Sequence, residues 1–137
     1  MIEMELSKIV IDEKRDGQLI VLKEKHGERV LPIVIGLHEA SAIKLKLSGV
    51  NPPRPLTHDL LYTTITDLEA TIERVIIDKL EENTFHAKLL IRTESGKTKT
   101  IDARPSDSIA LAVRARVPIF VEESIVKQMD AFDKNQQ

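Results

Sequence analysis

The sequence has no cysteine and no tryptophan, and aromatic residues make up only 3% of its 137 residues. Without cysteine, the chain cannot form disulfides, iron–sulfur clusters, thiolate zinc sites or a cysteine nucleophile. Its aromatic side chains are too few for the stacking platform of a typical single-strand-binding protein; they are Tyr62, Phe85, Phe120 and Phe132. Any metal site is therefore restricted to oxygen and imidazole ligands.

Long apolar runs and an excess of one charge are also missing. No apolar stretch approaches the roughly 20 residues of a membrane span, and the segment MIEMELSKIVIDE lacks the basic start and apolar run of a secretion signal. We therefore expect a cytoplasmic protein without membrane contact. Twenty basic and 22 acidic residues give a net charge of −2, which excludes a histone-like binder and an acidic disordered tail.

The charges are unevenly distributed along the chain. Residues 84–120 carry seven basic and three acidic side chains, a net of +4, whereas residues 57–83 carry two basic and seven acidic ones, a net of −5. A basic segment of this kind is typical of a surface that meets a phosphate backbone. Alternatively, the charges are scattered or paired, because strand residues point to alternate faces.

The hydrophobic pattern repeats after a shift of 66 positions, which indicates an internal duplication; alternatively, two similar β/α units merely share a period. For the first half we predict strands at Lys8–Glu13, Gln18–Glu24 and Arg29–Ile35, a helix over Glu39–Leu47, and a helix capped by Thr57 with an apolar stripe of Leu60, Leu61, Ile65 and Leu68. For the second half we predict strands at Glu69–Leu80, Thr84–Arg92 and Lys97–Ala103, a buried helix around Ile109–Val113, a short strand at Pro118–Val121, and a helix over Glu122–Phe132 with Ile125, Met129 and Phe132 on one face.

This order predicts an α+β fold of internally duplicated β-β-β-α-α units, with a mostly antiparallel sheet and helices packed on it. Halves of about 66 residues are too small to be stable alone, so we expect one domain over residues 1–132. Its halves are residues 1–66 and 67–132, and residues 133–137 form a frayed tail.

Two polar clusters stand where the chain enters a helix, at residues 54–59 and 102–108. The backbone N–H groups of a helix start favour anions, so Arg54 and Arg104 are candidates for contact with a phosphate. A structural explanation is also open. Ser106 suits a helix cap, Asp107 suits the helix dipole, and an Arg–Asp ion pair would use the remaining charges.

His58 and Asp59 are the better pair for proton transfer, because histidine titrates near neutral pH. Adjacent helical residues point about 100° apart, so a partner for His58 has to come from elsewhere. Four carboxylates near the ends of elements offer oxygen ligands to hard cations: Glu39, Asp59, Asp102 and Asp107. No HxH, HExxH or EF-hand spacing is present, however, and neither is a P-loop, a GxGxxG or a GxSxG motif.

Several segments resemble a known family. RPLTHDLL at 54–61 and DARPSDSIALAVR at 102–114 are similar to signature segments of the bifunctional nuclease domain family, and LPIVIGLHEASAI at 31–43 and PIFVEE at 118–123 fit it too. The resemblance runs from Met4 to Met129, with Ser108 standing where alanine is expected. It implies a compact α+β domain and a nuclease that cuts both DNA and RNA.

The motif positions carry the resulting hypothesis. We expect phosphodiester hydrolysis, with Mg or Mn as a possible divalent metal at a site that no motif defines. The expected catalytic residues are His58, Asp59, Asp107 and Glu39, and the expected substrate-binding residues are Arg54, Arg104 and Ser106. The alternative is a non-catalytic regulatory module that binds a phosphorylated ligand or a protein. Exposed sheet edges favour a homo-oligomer, most simply a dimer.

Overall fold

The structure, a computed structural model, describes the backbone of residues 1–135 and the side chains of residues 1–129. The first half contains strands β1 (Ile2–Val10), β2 (Gln18–Glu24) and β3 (Val30–Ile35) and helices α1 (Leu37–Leu47) and α2 (Thr57–Asp67). The second half contains β4 (Thr71–Glu81), β5 (Thr84–Arg92), β6 (Thr98–Ala103), α3 (Pro105–Ala115), β7 (Ile119–Val121) and α4 (Glu123–Asn135). Within residues 1–135, no helix is long and apolar enough to cross a membrane.

The strands form one seven-stranded sheet in the order β3-β2-β1-β7-β4-β5-β6. Strand β7 lies in the middle, antiparallel to the start of β1 and parallel to Val75–Ile77 of β4. The other neighbouring strands pair antiparallel. The predicted α+β class, with a mostly antiparallel sheet and packed helices, is confirmed. The short strand predicted at Pro118–Val121 is the element that joins the two halves.

The two halves share the order of three strands followed by helices, while β7 has no counterpart in the first half. The third strands begin at Val30 and Thr98, and the helices that follow them begin at Leu37 and Pro105, so both pairs are offset by 68 residues rather than 66. Common origin of the halves stays a prediction, as does the single domain over residues 1–132. In the predicted tail, residues 133–135 continue the backbone of α4, and residues 136–137 lie outside the described part.

Alternation along the strands points one apolar set from each half into a shared core, in which Ile20, Leu22 and Leu31 pack together with Val75, Ile77 and Leu89. Helix α3 crosses this core and is buried along most of its length, as its apolar sequence predicted. Each fully buried Leu or Ile side chain contributes roughly 1.5–3 kcal/mol. The predicted apolar face of α4 is buried at Ile125, whereas the side chain of Phe132 lies outside the described residues.

The predicted apolar stripe of α2 is only partly covered. Ile65 packs against the core, whereas the side chains of Leu60 and Leu68 are 61% and 73% exposed. Helices α1 and α3 already contribute buried residues to the core, while none of α2 is fully buried. The prediction that Thr57 caps α2 was wrong. Leu56 occupies the cap position, Thr57 is the first helical residue, and Asp59 accepts a hydrogen bond from the backbone N–H of Leu56.

The first strand also differs from its prediction. It begins at Ile2 rather than Lys8, because its first residues pair with β7, a partner far away in the sequence. Near its end, Val10 is exposed and Ile9 is half-buried.

Candidate functional site

The N-terminal turns of α1, α2 and α3 each carry an acidic side chain at the third helical position. These residues are Glu39, Asp59 and Asp107, and negative charge at this position is stabilised by the helix dipole. Helices α1 and α3 each follow an edge strand after one linking residue, Gly36 or Arg104. This tight connection fixes where Glu39 and Asp107 lie relative to the sheet.

Four side chains from these turns form a connected group, which we call the His58 cluster: Glu39, His58, Arg104 and Asp107. His58 Nε2 lies 2.9 Å from Asp107 Oδ1. Arg104 donates from Nε to Asp107 Oδ2 at 2.8 Å and from Nη2 to Asp107 Oδ1 at 3.2 Å. The same Nη2 donates to Glu39 Oε1 at 3.1 Å. The structure therefore brings together two predicted segments that are about 50 residues apart.

The electrostatics of the His58 cluster keep Asp107 ionised at neutral pH. Burial raises the pKa of this carboxyl, but hydrogen bonds from Arg104 and His58 together outweigh burial and leave the pKa below its usual value. A neutral His58 then donates its Nε2–H to Asp107, and Nδ1 becomes the basic nitrogen of the ring. The His58 side chain is 13% exposed, whereas that of Arg104 is 66% exposed.

The cluster borders a cavity of about 810 Å³ between α1, α2, α3 and the β5–β6 edge of the sheet. Its polar end holds the four cluster residues, together with Asp102 and His38. The remaining wall is mainly apolar, and its larger side chains are Leu45, Leu61, Ile65, Leu89, Ile91, Ile101 and Leu111. Ile65 is thus turned toward this cavity, which explains part of the apolar pattern of α2.

Asp59 does not belong to the His58 cluster. Its Oδ1 accepts a 2.7 Å hydrogen bond from Arg114 Nε, and its Oδ2 accepts the 2.9 Å bond from Leu56. Burial raises the pKa of Asp59, but the Leu56 N–H and the Arg114 guanidinium outweigh it and lower the pKa overall. Arg114 is only 3% exposed and also donates to the carbonyl of Ala110. Asp59 therefore links α2 to α3 through this ion pair and positions its neighbour His58.

Arg114 is the residue that the sequence analysis missed. It lies seven residues after Asp107, which places both residues on one side of α3, two turns apart. An arginine in the middle of an apolar helical segment was the available signal, because a buried arginine needs an anionic partner.

Two other predicted residues lie outside the cluster. Arg54 is exposed in the loop before α2, and the described residues give its side chain no hydrogen bond or ion pair. Ser106 is 5% exposed in the first turn of α3. The substrate-binding roles of Arg54 and Ser106 stay predictions, and burial does not favour the role of Ser106.

The carboxylates of the His58 cluster, in their present arrangement, do not fit a bound divalent metal ion. Both carboxylates of the cluster already accept hydrogen bonds from Arg104, whose guanidinium lies where a cation would bridge them. Over the part of the chain that the structure describes, no three His, Asp or Glu side chains form a group that could hold a metal ion. The expected Mg or Mn ion stays a prediction that requires Arg104 to move.

The basic segment at residues 84–120 is largely paired with carboxylates. Lys88 Nζ lies 3.0 Å from Asp102 Oδ1, and Arg92 Nε lies 4.0 Å from Glu73 Oε1. Arg104 and Arg114 have the partners described above. Four of the seven basic side chains are therefore neutralised locally, which favours the paired arrangement over a continuous basic groove.

The chain is similar in sequence to several known proteins. An uncharacterized protein of Mycobacterium tuberculosis is 42% identical over 126 residues, which cover 92% of this chain and 74% of that protein. Bifunctional nuclease 2 of rice (Oryza sativa subsp. japonica) is 30% identical over 118 residues, covering 84% of this chain and 36% of its own length. Bifunctional nuclease 1 of Arabidopsis thaliana is 26% identical over 107 residues, covering 76% of this chain and 33% of its own length.

This chain thus spans about a third of the plant relatives that it matches. The family model described as the bifunctional nuclease domain matches residues 20–134, a range that contains every residue of the His58 cluster. On this match, the chain belongs to the bifunctional nuclease domain family.

Proposed function

We propose that this chain is a nuclease that hydrolyses phosphodiester bonds of DNA and RNA, with the His58 cluster as its active site. The observation that carries the proposal is the 2.9 Å contact between His58 Nε2 and Asp107 Oδ1 beside an exposed Arg104, at the polar end of a large cavity. The family and the names of the plant relatives support the same activity.

Hydrolysis of a phosphodiester needs a base for the attacking water and positive charge at the phosphate. His58 Nδ1 is the base that removes the proton from water, while Asp107 orients the ring and stabilises the imidazolium that forms. The water oxygen bonds to phosphorus as the bond to the leaving oxygen breaks. The leaving oxygen takes its proton from solvent, to which the cavity is open.

Arg104 supplies the positive charge. A substrate phosphate replaces Glu39 at Nη2, while the Nε donor stays on Asp107 and keeps the guanidinium oriented. Glu39 thereby becomes a competitor of the substrate for Arg104 rather than a proton carrier. This role differs from the catalytic role of Glu39 that the sequence predicts. Measurement of KM and kcat distinguishes the two roles.

The test is cleavage of labelled DNA and RNA by His58→Ala, with His26→Ala as the matched control in an exposed turn. Removal of a positioned base lowers the rate by about 10²–10⁴-fold, so we expect His58→Ala to lose activity and His26→Ala to keep it. Both variants are purified by the same steps to exclude a contaminating nuclease. Equal activity of His58→Ala would contradict the proposal.

The same assay decides two further points. Cleavage that persists in EDTA shows that the cluster works without a divalent metal, whereas activity restored only by Mg or Mn supports the expected cofactor. A steep loss of oligonucleotide affinity with rising salt supports contact with a phosphate backbone. No cleavage and no oligonucleotide binding at all favours the non-catalytic module. A cytoplasmic location stays a prediction.

A homodimer remains our proposed assembly. Leu60 on α2 and Leu68 at its C-terminal cap are exposed apolar side chains, and exposed apolar surface is a common site of contact with another chain. Light scattering after size exclusion measures the mass directly. We expect a dimer that Leu68→Lys converts to a monomer, and a monomeric wild type contradicts the proposal.

A further inference from the structure

We propose that the cavity beside the His58 cluster receives one unpaired nucleobase, so that the chain acts on single-stranded or locally unpaired nucleic acid. This inference rests on the proposed nuclease function and names the substrate form that the same site selects.

The size and lining of the cavity fit an organic ring rather than a phosphate backbone. Its volume of about 810 Å³ lies within the range of about 300–1,000 Å³ that is typical of small-molecule sites. Ile101 pairs with Leu89 across the β5–β6 pair, and Leu61 of α2 also lines the cavity. The hydroxyls of Ser41 and Thr57 line the same space and can form hydrogen bonds with a base edge.

Contacts with phosphates alone cannot account for binding of nucleic acid at this cavity. Among the described residues that line the cavity, Arg104 is the one lysine or arginine, while Glu39, Asp102 and Asp107 are acidic. Duplex DNA carries one negative charge per roughly 1.7 Å of its axis. These carboxylates therefore repel a duplex at the mouth of the cavity. A single strand can bring one phosphate to Arg104 and place the attached base against the apolar wall.

The recessed position of His58 favours the same substrate. Its side chain is 13% exposed, so the scissile phosphate has to enter the cavity mouth rather than slide over a flat surface. In a duplex the neighbouring base is stacked and paired, and taking it out costs a few kcal/mol. An unpaired base avoids this cost and buries its faces on entry.

The experiment compares kcat/KM of the wild-type protein on three labelled DNA substrates of about 20 nucleotides, a length that covers several binding-site sizes. They are oligothymidylate, its duplex with oligoadenylate, and an abasic strand with the same phosphates. We expect the single strand to exceed both other substrates by about tenfold, because burial of apolar surface against aliphatic side chains contributes a free energy of this order.

Two uncharged substitutions on the two edge strands of the sheet provide the matched pair. Ile101→Ser on β6 removes apolar wall from the cavity, and Val34→Ser on β3 alters an exposed valine outside it. We expect Ile101→Ser to reduce the preference for the single strand about fivefold, because it removes apolar contact area, and Val34→Ser to leave it unchanged. Equal loss in both variants overturns the inference.

The outcomes separate this inference from the nuclease proposal. Equal cleavage of all three substrates by the wild type overturns the base-binding inference and leaves the nuclease intact. If no substrate is cleaved, the nuclease proposal fails, and fluorescence anisotropy with the same strands decides the inference. Tighter binding of oligothymidylate than of the abasic strand then supports base binding, and equal affinity overturns it.

Discussion

His58 Nε2 lies 2.9 Å from Asp107 Oδ1 although the two residues are 49 positions apart in the chain. The next residue after His58 is Asp59, which binds Arg114 two turns further along α3. Two consecutive side chains of α2 therefore contact α3 at different points and define the position of one helix on the other. The Asp59–Arg114 ion pair thus positions the neighbouring His58. Neither residue of this pair lines the cavity.

We expect Asp107→Asn to lower kcat by about 10²–10⁴-fold while the protein stays folded. The amide keeps the shape of the carboxyl but neither stabilises the imidazolium nor fixes the tautomer of His58. Urea unfolding checks the fold, and initial rates check kcat. The control is Asp102→Asn, a more exposed carboxylate beside the same cavity, which should keep kcat. A rate for Asp107→Asn within about threefold of wild type would show that Asp107 has no part in catalysis.

The contact between Glu39 and Arg104 provides a second prediction. Effects on KM and kcat distinguish a Glu39 that competes with the substrate phosphate for Arg104 from a catalytic Glu39. Glu39→Gln removes the charge that competes with phosphate, so we expect KM to fall by about two- to tenfold with little change in kcat. Gly36→Ala should act in the same direction but more weakly. A methyl group at position 36 overlaps with the Glu39 carboxylate and displaces it, while the backbone φ of −75° accepts alanine. A large loss of kcat in Glu39→Gln would instead restore Glu39 as a catalytic residue.

Local patterns predicted most elements, and long-range pairing accounts for the differences. Strands β2 and β5 have their predicted bounds, and the turn at Glu82–Asn83 between β4 and β5 uses two residues with positive φ, as a tight hairpin requires. The insertion of β7 between β1 and β4 depends on contacts between distant segments. No period or turn signal encodes such a pairing, so the start of β1 was missed.

The site shows the same division between local and long-range information. Arg104 and Asp107 are three residues apart on one helix start, and their contact was foreseen as a possible structural ion pair. The sequence indicated only that His58 needs a partner from elsewhere. The apolar stripe of α2 was misleading because a helical pattern does not tell whether a side chain such as Ile65 or Leu68 meets the core, a cavity or solvent.

The Asp59–Arg114 pair should be strongly coupled in stability. Asp59→Asn leaves the buried Arg114 without its anion, and we expect a loss of about 3 kcal/mol in the free energy of unfolding. Arg114→Met should cost less, because the Asp59 carboxylate is 30% exposed and water can solvate it. In a double-mutant cycle measured by urea unfolding, the double variant should lose less than the two single variants together. Additive losses would mean that the ion pair does not hold α2 on α3.

The same carboxylates predict how stability depends on pH. The folded protein lowers the pKa of Asp59 and Asp107, whereas an unfolded chain titrates aspartate near about 3.9. The unfolded state therefore binds more protons in the interval between the two pKa values, and stability falls as the pH drops through the lower, folded pKa. We expect a urea midpoint that is constant from about pH 5 upward and decreases below about pH 4. Asp107→Asn should flatten this decrease, and Asp67→Asn, at an exposed position on α2, should not. An acid-induced decrease that is equally steep in Asp107→Asn and in wild type would show that the His58 cluster contributes nothing to acid sensitivity.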